Sequence, residues 1–539
     1  MKPLVDSEKR THGQKSTASA QSALDSAPIT CLFDSMPLTP RALWEVAQSS
    51  VNPRTPPQLA FSPDAWQRIR NAAGFIEQLL AGGDQAIYGL NTGFGHFAER
   101  VVSSSQLRQL QRNLVVSHAC AVGPLAPREV VFAMWLLRLH TVAKGRSGIS
   151  EKTLELILRL LNAGVLGLVP SRGSVGASGD LASAAHASLP LLGEGQCSRP
   201  GPSGLGFETI DAAQALADLE LTPVELRPKE GLSLINGTHY TTALATQVWY
   251  EGSRLLRVAN LAAAMSMEAM GGAGAILEES VLATHHPHTR VVGHEMARWL
   301  AGSEYLHGAR IDRRFVQAPY CLRCAPQVHG AVAAEIDAVE TTLREEYEVL
   351  SDNPLLFPET GEVHSCGNFH AIYPARACDK LATALTTLGN IAERRINMAM
   401  DERLSGLPGF LINNGGLNSG LMMVQVTAAA LVSECKALSF PASVDSIPTN
   451  CDREDPVSMG PIAGHKAVAI AGHVRSILAI ELLVAAQALD LRGERAAIPL
   501  ELRKAYAVIR QHVKFLEHDR VLAPDIEAIS RLIETNALV

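Results

Sequence analysis

The segment from Ala467 to Leu491 constrains the fold more than any other part of this 539-residue chain. It is the most apolar late stretch, and apolar residues fall on nearly every face of the helix it would form. It is interrupted by His473, Arg475, Glu481 and Asp490. Those interruptions argue against a membrane span and predict a helix packed on all sides at the centre of a bundle.

Further helical patterns recur along the chain and predict an almost entirely α-helical protein. Hydrophobic residues make up 47% of the chain but aromatic residues only 5%, a composition rich in Ala and Leu that suits packed helices better than sheets. The apolar spacing predicts helices from Asp64 to a stop at Gly82-Gly83, over Pro127–His140, Glu151–Leu166 and Leu255–Met270, and from Leu381 through Ile396 to an end in ERRINMAMDE. Residues 1–35 are polar and rich in Ser, Ala and Thr, which predicts a disordered tail.

Charge and cysteine content narrow the class of protein. The net charge of −7 disfavours partners such as nucleic acid and an anionic membrane surface. Nine scattered cysteines indicate free thiols in a reducing compartment, and the pair Cys321 and Cys324 lacks the second pair that a zinc site needs. We therefore expect no bound metal. The first residues contain no apolar core of a secretory signal, so we expect a soluble, cytoplasmic protein.

The segment SRGSVGASGD, residues 171–180, determines the functional interpretation. It could be a glycine-rich turn before a helix with Asp180 as N-cap, whereas the phosphate-loop pattern is absent. It could also cyclise. The Gly179 nitrogen would attack the Ala177 carbonyl, and loss of two waters, one of them from Ser178, would leave a 4-methylideneimidazol-5-one ring (MIO). Glycine has no Cβ to obstruct this bend, and the following helix would direct its positive end at the ring.

These residues resemble the aromatic amino acid ammonia-lyase family. GSVGASGDL is its most diagnostic stretch, and the resemblance covers roughly Leu38 to Val539. Other family motifs occur in family order: YGLNTGFG, KEGLSLINGT, PYCLRCAPQVHG, SDNPL, GNFH, ERRI, GLNSG and EDPVSMG. The resemblance implies a mainly α, fumarase/aspartase-like fold. Residues 36–250 would form a smaller N-terminal part bearing the MIO group, and residues 251–539 a long helical bundle. It also implies an amino acid substrate, no external cofactor, and a homotetramer whose active sites are shared between subunits.

The resemblance assigns roles to several polar residues, each of which also has a plainer explanation. Tyr88 would be the base that removes the β-proton, or else a packing residue. Arg323 would bind the substrate carboxylate through its planar guanidinium, or else form a buried ion pair. Asn236 would hydrogen-bond the ring carbonyl and the substrate, or else cap a helix N-terminus. Tyr320 would position substrate and ring, while Gln317 and Phe369 would line the pocket or merely pack.

His118 and Glu454 bear on the substrate. A Ser-His pair at 117–118 occurs in histidine lyases and in some tyrosine lyases and aminomutases, although His118 could also lie on a helix without contacting substrate. At position 454 the chain resembles histidine lyases, which have a glutamate there, rather than tyrosine and phenylalanine lyases, which have a glutamine. A carboxylate can pair with an imidazole ring, whereas a glutamine side chain is the better partner for a phenol. The plainer alternative for Glu454 is a surface ion pair with Arg453. Departures from the family pattern leave the substrate open: Arg453, Pro456, Ala318, Cys321, Ser183, Ala184 and His239.

The sequence therefore predicts a carbon–nitrogen lyase that converts L-histidine to trans-urocanate and ammonia. A tyrosine or phenylalanine ammonia-lyase and an MIO-dependent aminomutase are the alternatives within the family. A non-catalytic helical assembly protein is the alternative from another class, and the intact Ala177-Ser178-Gly179 triad disfavours it.

Overall fold

The computed structural model describes residues 30–33, 38–82, 86–271, 274–306, 316–493 and 497–539. Its internal contacts divide these residues into two compact units. Unit 1 runs up to Ser174 and includes Asp180–Tyr240 and Val349–Phe369, whereas unit 2 comprises Val175–Gly179, Thr241–Glu348 and His370–Val539. Each unit is therefore assembled from separate stretches of the chain.

Unit 1 combines short helices with short strands. Its helices are α1 (Pro40–Ser49), α2 (Pro63–Ala81), α3 (Leu107–His118), α4 (Arg128–Ala143), α5 (Glu151–Asn162), α6 (Leu181–Ser188), α7 (Ala212–Asp218) and α8 (Glu230–Ile235). Its strands are β1 (Thr30–Phe33), β2 (Gln58–Phe61), β3 (Val122–Leu125), β4 (Leu166–Gly167), β5 (Pro170–Arg172), β6 (Gln196–Pro200), β7 (Phe207–Asp211), β8 (Leu355–Phe357) and β9 (Glu362–His364).

The strands of unit 1 form small local sheets. β1 pairs in parallel with β2, in a register that places Phe33 opposite Phe61. β3 pairs with β5, β6 lies between β4 and β7, and β8 forms a hairpin with β9, all antiparallel. The helical core of the unit is α4, in which every residue from Val130 to Ala143 is buried. The start of α2 follows from its sequence, because the Ser62 hydroxyl caps the Ala65 amide at 3.1 Å.

Unit 2 is a bundle of helices, some long and some of a single turn. They are α9 (His239–Met270), α10 (Glu279–Leu282), α11 (Pro287–Trp299), α12 (Tyr320–Arg323), α13 (Ala325–Glu348), α14 (Ile372–Met400), α15 (Glu402–Ser405), α16 (Met422–Leu438), α17 (Gly460–Arg492), α18 (Leu500–His512) and α19 (Ala523–Glu534). The residues of α9 from Thr241 onward belong to this unit.

Helix α17 is the core of unit 2 and packs most extensively against α14. Its length and apolar composition would allow it to cross a membrane, yet 67% of its most apolar 18-residue stretch is buried within the structure. Gly389 of α14 lies where a Cβ would come within 3.3 Å of Val474 and Ile477, so its small size lets the two helices approach closely. The prediction of a buried helix at the centre of a bundle is confirmed, as is the mainly α fold.

Two predictions about chain organisation differ from what the structure describes. Thr30–Phe33 fall inside the predicted disordered tail but form β1, because Phe33 is buried with its ring 5.4 Å from Phe61; residues 1–29 and 34–35 lie outside the described residues. Residues 175–179, expected with the N-terminal part, pack instead with unit 2. The predicted boundary between residues 250 and 251 stays a prediction.

Candidate active site

Residues 449–460, here called the glutamate loop, hold the backbone that leads into the triad. The Met459 amide donates to the Val175 carbonyl at 2.8 Å, and the Ser458 hydroxyl donates to the Gly176 carbonyl at 3.1 Å. Gly176 adopts a left-handed φ of 70°, and a Cβ there would overlap Ser458 Oγ. Position 176 therefore requires glycine for both its backbone conformation and its space.

The same loop contacts the triad side chain that would lose water. Ser178 Oγ donates to Glu454 Oε1 at 2.9 Å, and Thr449 Oγ1 donates to Glu454 Oε2 at 2.8 Å. Both carboxylate oxygens are thus engaged, one by the triad and the other by a neighbour in the loop. Glu454 was predicted to act on substrate, and its contact with Ser178 adds a partner that sequence reasoning missed.

A run of left-handed residues brings Thr449 back to Glu454. Asn450, Cys451 and Asp452 have φ values of 54°, 53° and 62°. The turn they form is closed by hydrogen bonds between Thr449 and Glu454, with the amide of each donating to the carbonyl of the other at 3.0 and 3.4 Å. Asn and Asp tolerate the left-handed conformation better than most residues, whereas in Cys451 it strains the backbone. Strain of this kind is often found at functional sites.

The triad fits the ring that the sequence predicts. Gly179 has a left-handed φ of 78° and is buried, while Ala177 and Ser178 are half-buried. Asp180 occupies the N-cap position of α6, as predicted, but its side chain makes no capping hydrogen bond. A sharp bend at a residue without Cβ, beside a held serine hydroxyl, is the arrangement that cyclisation would need.

Arg323 lies at the end of the one-turn helix α12 with its guanidinium held from two sides. Gln317, with its amide oxygen turned toward the guanidinium, accepts from both terminal nitrogens at 2.7 and 3.2 Å. The guanidinium carbon lies 4.6 Å from the centre of the Tyr320 ring, and Nε donates to the Ala318 carbonyl at 3.2 Å. Gln317, Tyr320 and Arg323, predicted separately, are therefore brought together, and Tyr320 is 71% exposed.

A buried ion pair supports the turn that carries Arg323. Arg395 of α14 and Glu481 of α17 are essentially unexposed, and Nη2 of Arg395 donates to Glu481 Oε2 at 3.0 Å. Ser266 donates to Glu481 Oε1 at 3.0 Å, and Nη1 of Arg395 donates to the Cys321 carbonyl at 3.4 Å. Burial raises the pKa of the Cys321 thiol, which favours its neutral form. The polar interruption at Glu481 thus has a structural partner in the ERRI motif.

In unit 1, Tyr88 lies in a turn whose neighbours are fixed by packing. Leu90 is fully buried against Phe75 and Ile76 of α2, and Gly89 has a left-handed φ of 79°. A Cβ on Gly89 would lie 2.8 Å from Leu232. Tyr88 is half-buried, with its ring 6.3 Å from Phe94 in an edge-on arrangement. It lines a cavity of about 290 Å³ together with Leu79, Ala86, Ile87, Pro354 and Val363.

Asn236 lies at the C-terminal end of α8, so the alternative of a helix N-cap is wrong. Its backbone amide donates to the Leu232 carbonyl at 2.9 Å, and 3% of its surface is exposed. The next residue, Gly237, has a φ of 121°, and a Cβ there would overlap the Ser351 carbonyl. The Gly237 carbonyl in turn accepts from the Asp180 amide at 2.8 Å, which ties the Asn236 turn to the start of α6.

His118 is the last residue of α3, and its Nδ1 lies 2.7 Å from the Leu114 carbonyl. Because a carbonyl can only accept, the neutral ring carries its proton on Nδ1 and leaves Nε2 as an acceptor. Ser117 Oγ lies 3.2 Å from the same Nδ1, so the Ser-His pair makes direct contact. Phe369 follows β9 and is half-buried at the end of unit 1.

Sequence reasoning assigned no role to a buried ion pair in unit 1. Lys229 Nζ lies 3.1 Å from Asp352 Oδ2, and neither side chain is exposed. The ammonium also donates to Ser147 O and Ser233 Oγ. Burial lowers the pKa of Lys229, although Asp352 opposes that shift. Both partners belong to motifs quoted for the resemblance, KEGLSLINGT and SDNPL, which was the available signal. Across the described ranges, no cluster of His, Cys, Asp and Glu is suited to a metal ion.

Comparison with known proteins shows the family of this chain. The family model for aromatic amino acid lyases matches residues 38–511. The chain is 46% identical over 483 residues to a histidine ammonia-lyase of Symbiobacterium thermophilum, covering 89% of this chain and 93% of that one. It is 46% identical over 470 residues to one of Deinococcus radiodurans, covering 87% and 88%.

Solved structures extend the comparison to the fold. The crystal structure of histidine ammonia-lyase from Trypanosoma cruzi has a TM-score of 0.85 at 36% identity, covering 95% of this chain and 94% of that one. Tyrosine aminomutase from Streptomyces globisporus has a TM-score of 0.87 at 33% identity, covering 95% and 98%. The family model and the relatives each span most of the chain, and with the motifs placed as described, this protein belongs to the aromatic amino acid lyase family.

Proposed function

We propose that this protein is a histidine ammonia-lyase, a carbon–nitrogen lyase that converts L-histidine to trans-urocanate and ammonia. The observation that carries the proposal is the 2.9 Å hydrogen bond from Ser178 Oγ to Glu454 Oε1. It joins the ring-forming triad to the acidic residue that distinguishes the histidine type within the family. The similar histidine ammonia-lyases, at 46% identity over most of the chain, support the same substrate.

The proposed electrophile is the MIO group formed from Ala177, Ser178 and Gly179, with no external cofactor. Such a group supplies an electron-poor carbon that makes the amino nitrogen of the substrate a better leaving group. The left-handed backbone at Gly179 and the clamped carbonyl at Gly176 support its formation here.

The remaining roles belong to side chains of the chain itself. Arg323 would orient the substrate through a paired contact with its carboxylate, since Gln317 and Tyr320 already restrict the guanidinium. Tyr88 would remove the β-proton, a role that needs a phenol with a pKa below the tyrosine reference value of about 10. Asn236, anchored at the end of α8, would donate its side-chain amide to a substrate or ring oxygen.

Recognition of the imidazole would fall to His118 and Glu454. With its proton on Nδ1, His118 offers Nε2 as an acceptor for an imidazole N–H of the substrate. The Glu454 carboxylate is an acceptor of the same kind, already held in place by Thr449. Phe369 would contribute apolar surface to the pocket.

We further propose a cytoplasmic homotetramer with shared active sites. The exposed face of α16 supports association, because Met422, Met423 and Val426 leave apolar surface uncovered on one chain. Sedimentation of the purified protein would measure the subunit number, and a monomer at micromolar concentration would contradict this part of the proposal.

A substrate panel tests the proposed reaction. The purified enzyme is incubated separately with L-histidine, L-tyrosine and L-phenylalanine, and the ultraviolet absorbance of the unsaturated product is followed. We expect trans-urocanate from histidine, with at most slow turnover of the other two. Product from tyrosine alone would refute the histidine assignment.

A tyrosine aminomutase is the second candidate, favoured by the structural match to the Streptomyces globisporus enzyme. Chromatography of the same reactions distinguishes it, because an aminomutase yields a β-amino acid. Intact-protein mass addresses the non-catalytic alternative: a chain two waters lighter than its sequence carries the ring, whereas an unmodified mass would refute the enzymatic assignment.

A further inference from the structure

We propose that Thr449, Glu454 and Ser178 form a hydrogen-bonded relay that removes water from Ser178, so that Glu454 helps to build the electrophile as well as to meet the substrate. The inference rests on the proposed function, because the relay removes water from Ser178 only if the triad cyclises. Its basis is the pair of contacts to one carboxyl group, from Ser178 Oγ at 2.9 Å and from Thr449 Oγ1 at 2.8 Å.

Thr449 decides which carboxyl oxygen carries a proton. Its hydroxyl donates to Oε2, so a proton that the carboxylate takes up during the reaction goes to Oε1, and the contact with Ser178 then reverses, with Oε1 donating to Ser178 Oγ. Thr449 is itself fixed, because its backbone pairs with that of Glu454 across the turn formed by the left-handed residues 450–452. Thr449 is therefore a positioning residue, and Glu454 acts on the reacting atoms.

The chemical step balances without another reagent. After Gly179 N has bonded to the Ala177 carbonyl carbon and the first water has left, solvent water takes the proton from Cα of Ser178 and delivers it to the Glu454 carboxylate at Oε1. The electron pair left on Cα forms the Cα=Cβ double bond as the Cβ–Oγ bond breaks, and Oγ leaves as water with the proton that Oε1 gives up. The net loss is one water, and Glu454 ends as the carboxylate that it was at the start.

The surrounding loop supports this assignment. The glutamate loop makes two side-chain hydrogen bonds to the triad segment, one from Ser458 to the Gly176 carbonyl and one between Glu454 and the Ser178 hydroxyl. The first fixes the backbone that precedes the ring. The second contacts the oxygen atom that leaves as water. A residue that served the substrate alone would not need a contact with the side chain consumed in ring formation.

The test follows the mass of the full-length protein during the hours after its synthesis in a cell-free system. Wild-type chain should become two waters lighter. Glu454→Gln should retain the Ser178 oxygen and stay heavier than mature wild type, and Thr449→Val should lose its water roughly tenfold more slowly, the effect of deleting one hydrogen bond to a charged group. Thr449→Ser, which keeps the hydroxyl, should restore the rate, whereas a role confined to packing would not be rescued in this way.

Matched controls use exposed residues of the same types. Glu527→Gln and Thr341→Val alter exposed positions and should mature at the wild-type rate. Circular dichroism establishes that each variant is folded; should Glu454→Gln fail to fold, Thr449→Val and Thr449→Ser decide. Full water loss at the wild-type rate in folded Glu454→Gln, or in Thr449→Val, would overturn the relay.

The same measurements separate the two proposals. A wild-type chain that loses two waters but does not consume histidine refutes the substrate assignment and leaves the relay intact. A wild-type chain that never loses water refutes the proposed enzyme and, with it, the relay.

Discussion

The carbonyl of Gly176 accepts a hydrogen bond from Ser458 Oγ at 3.1 Å, and the space above the Gly176 Cα is filled by that same hydroxyl. Two residues far apart in sequence thus define the conformation of the segment that precedes the triad. The contact is intolerant of change, because any side chain at position 176 must displace the group that holds it.

Gly176→Ala should therefore destabilise the protein and impair ring formation. A left-handed alanine costs about 1 kcal/mol and the overlap with Ser458 adds a similar amount, so we expect a loss of about 2 kcal/mol in the free energy of unfolding. Denaturant titration measures the loss, and intact mass measures the ring. Gly74→Ala, in α2 with open space around it, is the control and should be neutral or slightly stabilising. Equal effects at the two sites would contradict the packing argument.

Glu481→Gln should cost about 3–5 kcal/mol, because it leaves the buried Arg395 guanidinium without its countercharge. The carbonyl of Cys321 then stands as a weak partner for Arg395, so the turn that carries Arg323 should loosen as well. Guanidinium chloride unfolding gives the stability, and Glu225→Gln in the exposed pair with Arg108 should change it by less than about 1 kcal/mol. A similarly small loss for Glu481→Gln would show that the pair is dispensable.

Arg323→Lys should lower kcat/KM for the substrate by roughly tenfold to a hundredfold. The lysine keeps the charge but loses the planar fork that Gln317 and Tyr320 hold in place. Steady-state kinetics measure the change, with most of it expected in KM, and exposed Arg531→Lys as the matched control. Unchanged kinetics in Arg323→Lys would remove Arg323 from the binding of the substrate carboxylate.

His239 should make stability depend on pH. The pKa of this buried imidazole lies well below its usual value because burial penalises the charged ring and nearby Arg138 adds repulsion. Its Nε2 lies 3.1 Å from the Thr141 hydroxyl. The unfolded chain takes up a proton below about pH 6.5 that the folded chain refuses, so stability falls as the pH drops through that value, by up to about 1.4 kcal/mol per pH unit.

The family-like variant His239→Gln should flatten this dependence. Urea titrations at pH 5.5 and 7.5 compare the variant with wild type and with exposed His518→Gln. His329, a second buried imidazole with a pKa lowered chiefly by burial, keeps its own contribution in every variant. An identical pH slope in wild type and His239→Gln would mean that His239 is protonated in the folded chain.

The helices could be predicted from apolar spacing, and the structure shows why. The apolar run at 467–491 is a helix buried over most of its length, and one of its charged interruptions, Glu481, is paired with Arg395. The pattern identifies the interruption but not its partner, since the partner lies 86 residues earlier on another helix. Pair interactions across a bundle depend on packing that periodicity does not encode.

The candidate site shows the same division. The triad and the roles proposed for Arg323 and Glu454 came from motifs that carry the family resemblance, whereas Thr449 and Ser458 received no role, although Ser458 lies in the quoted motif EDPVSMG. Their importance depends on the turn at residues 450–452, where three successive left-handed residues include a cysteine that propensity would not place there. Such conformations are imposed by tertiary contacts, so they become visible only in the folded chain.

The grip of Ser458 on Gly176 also sets a time for the chemistry. The two residues are separated by 282 positions, so a ribosome has made most of the chain before residue 458 exists to hold residue 176. If the proposed ring forms only with this contact in place, a nascent chain released before that point would carry the triad as an ordinary peptide. The proposed electrophile would then be confined to molecules whose synthesis is nearly complete, and prematurely terminated fragments would carry none.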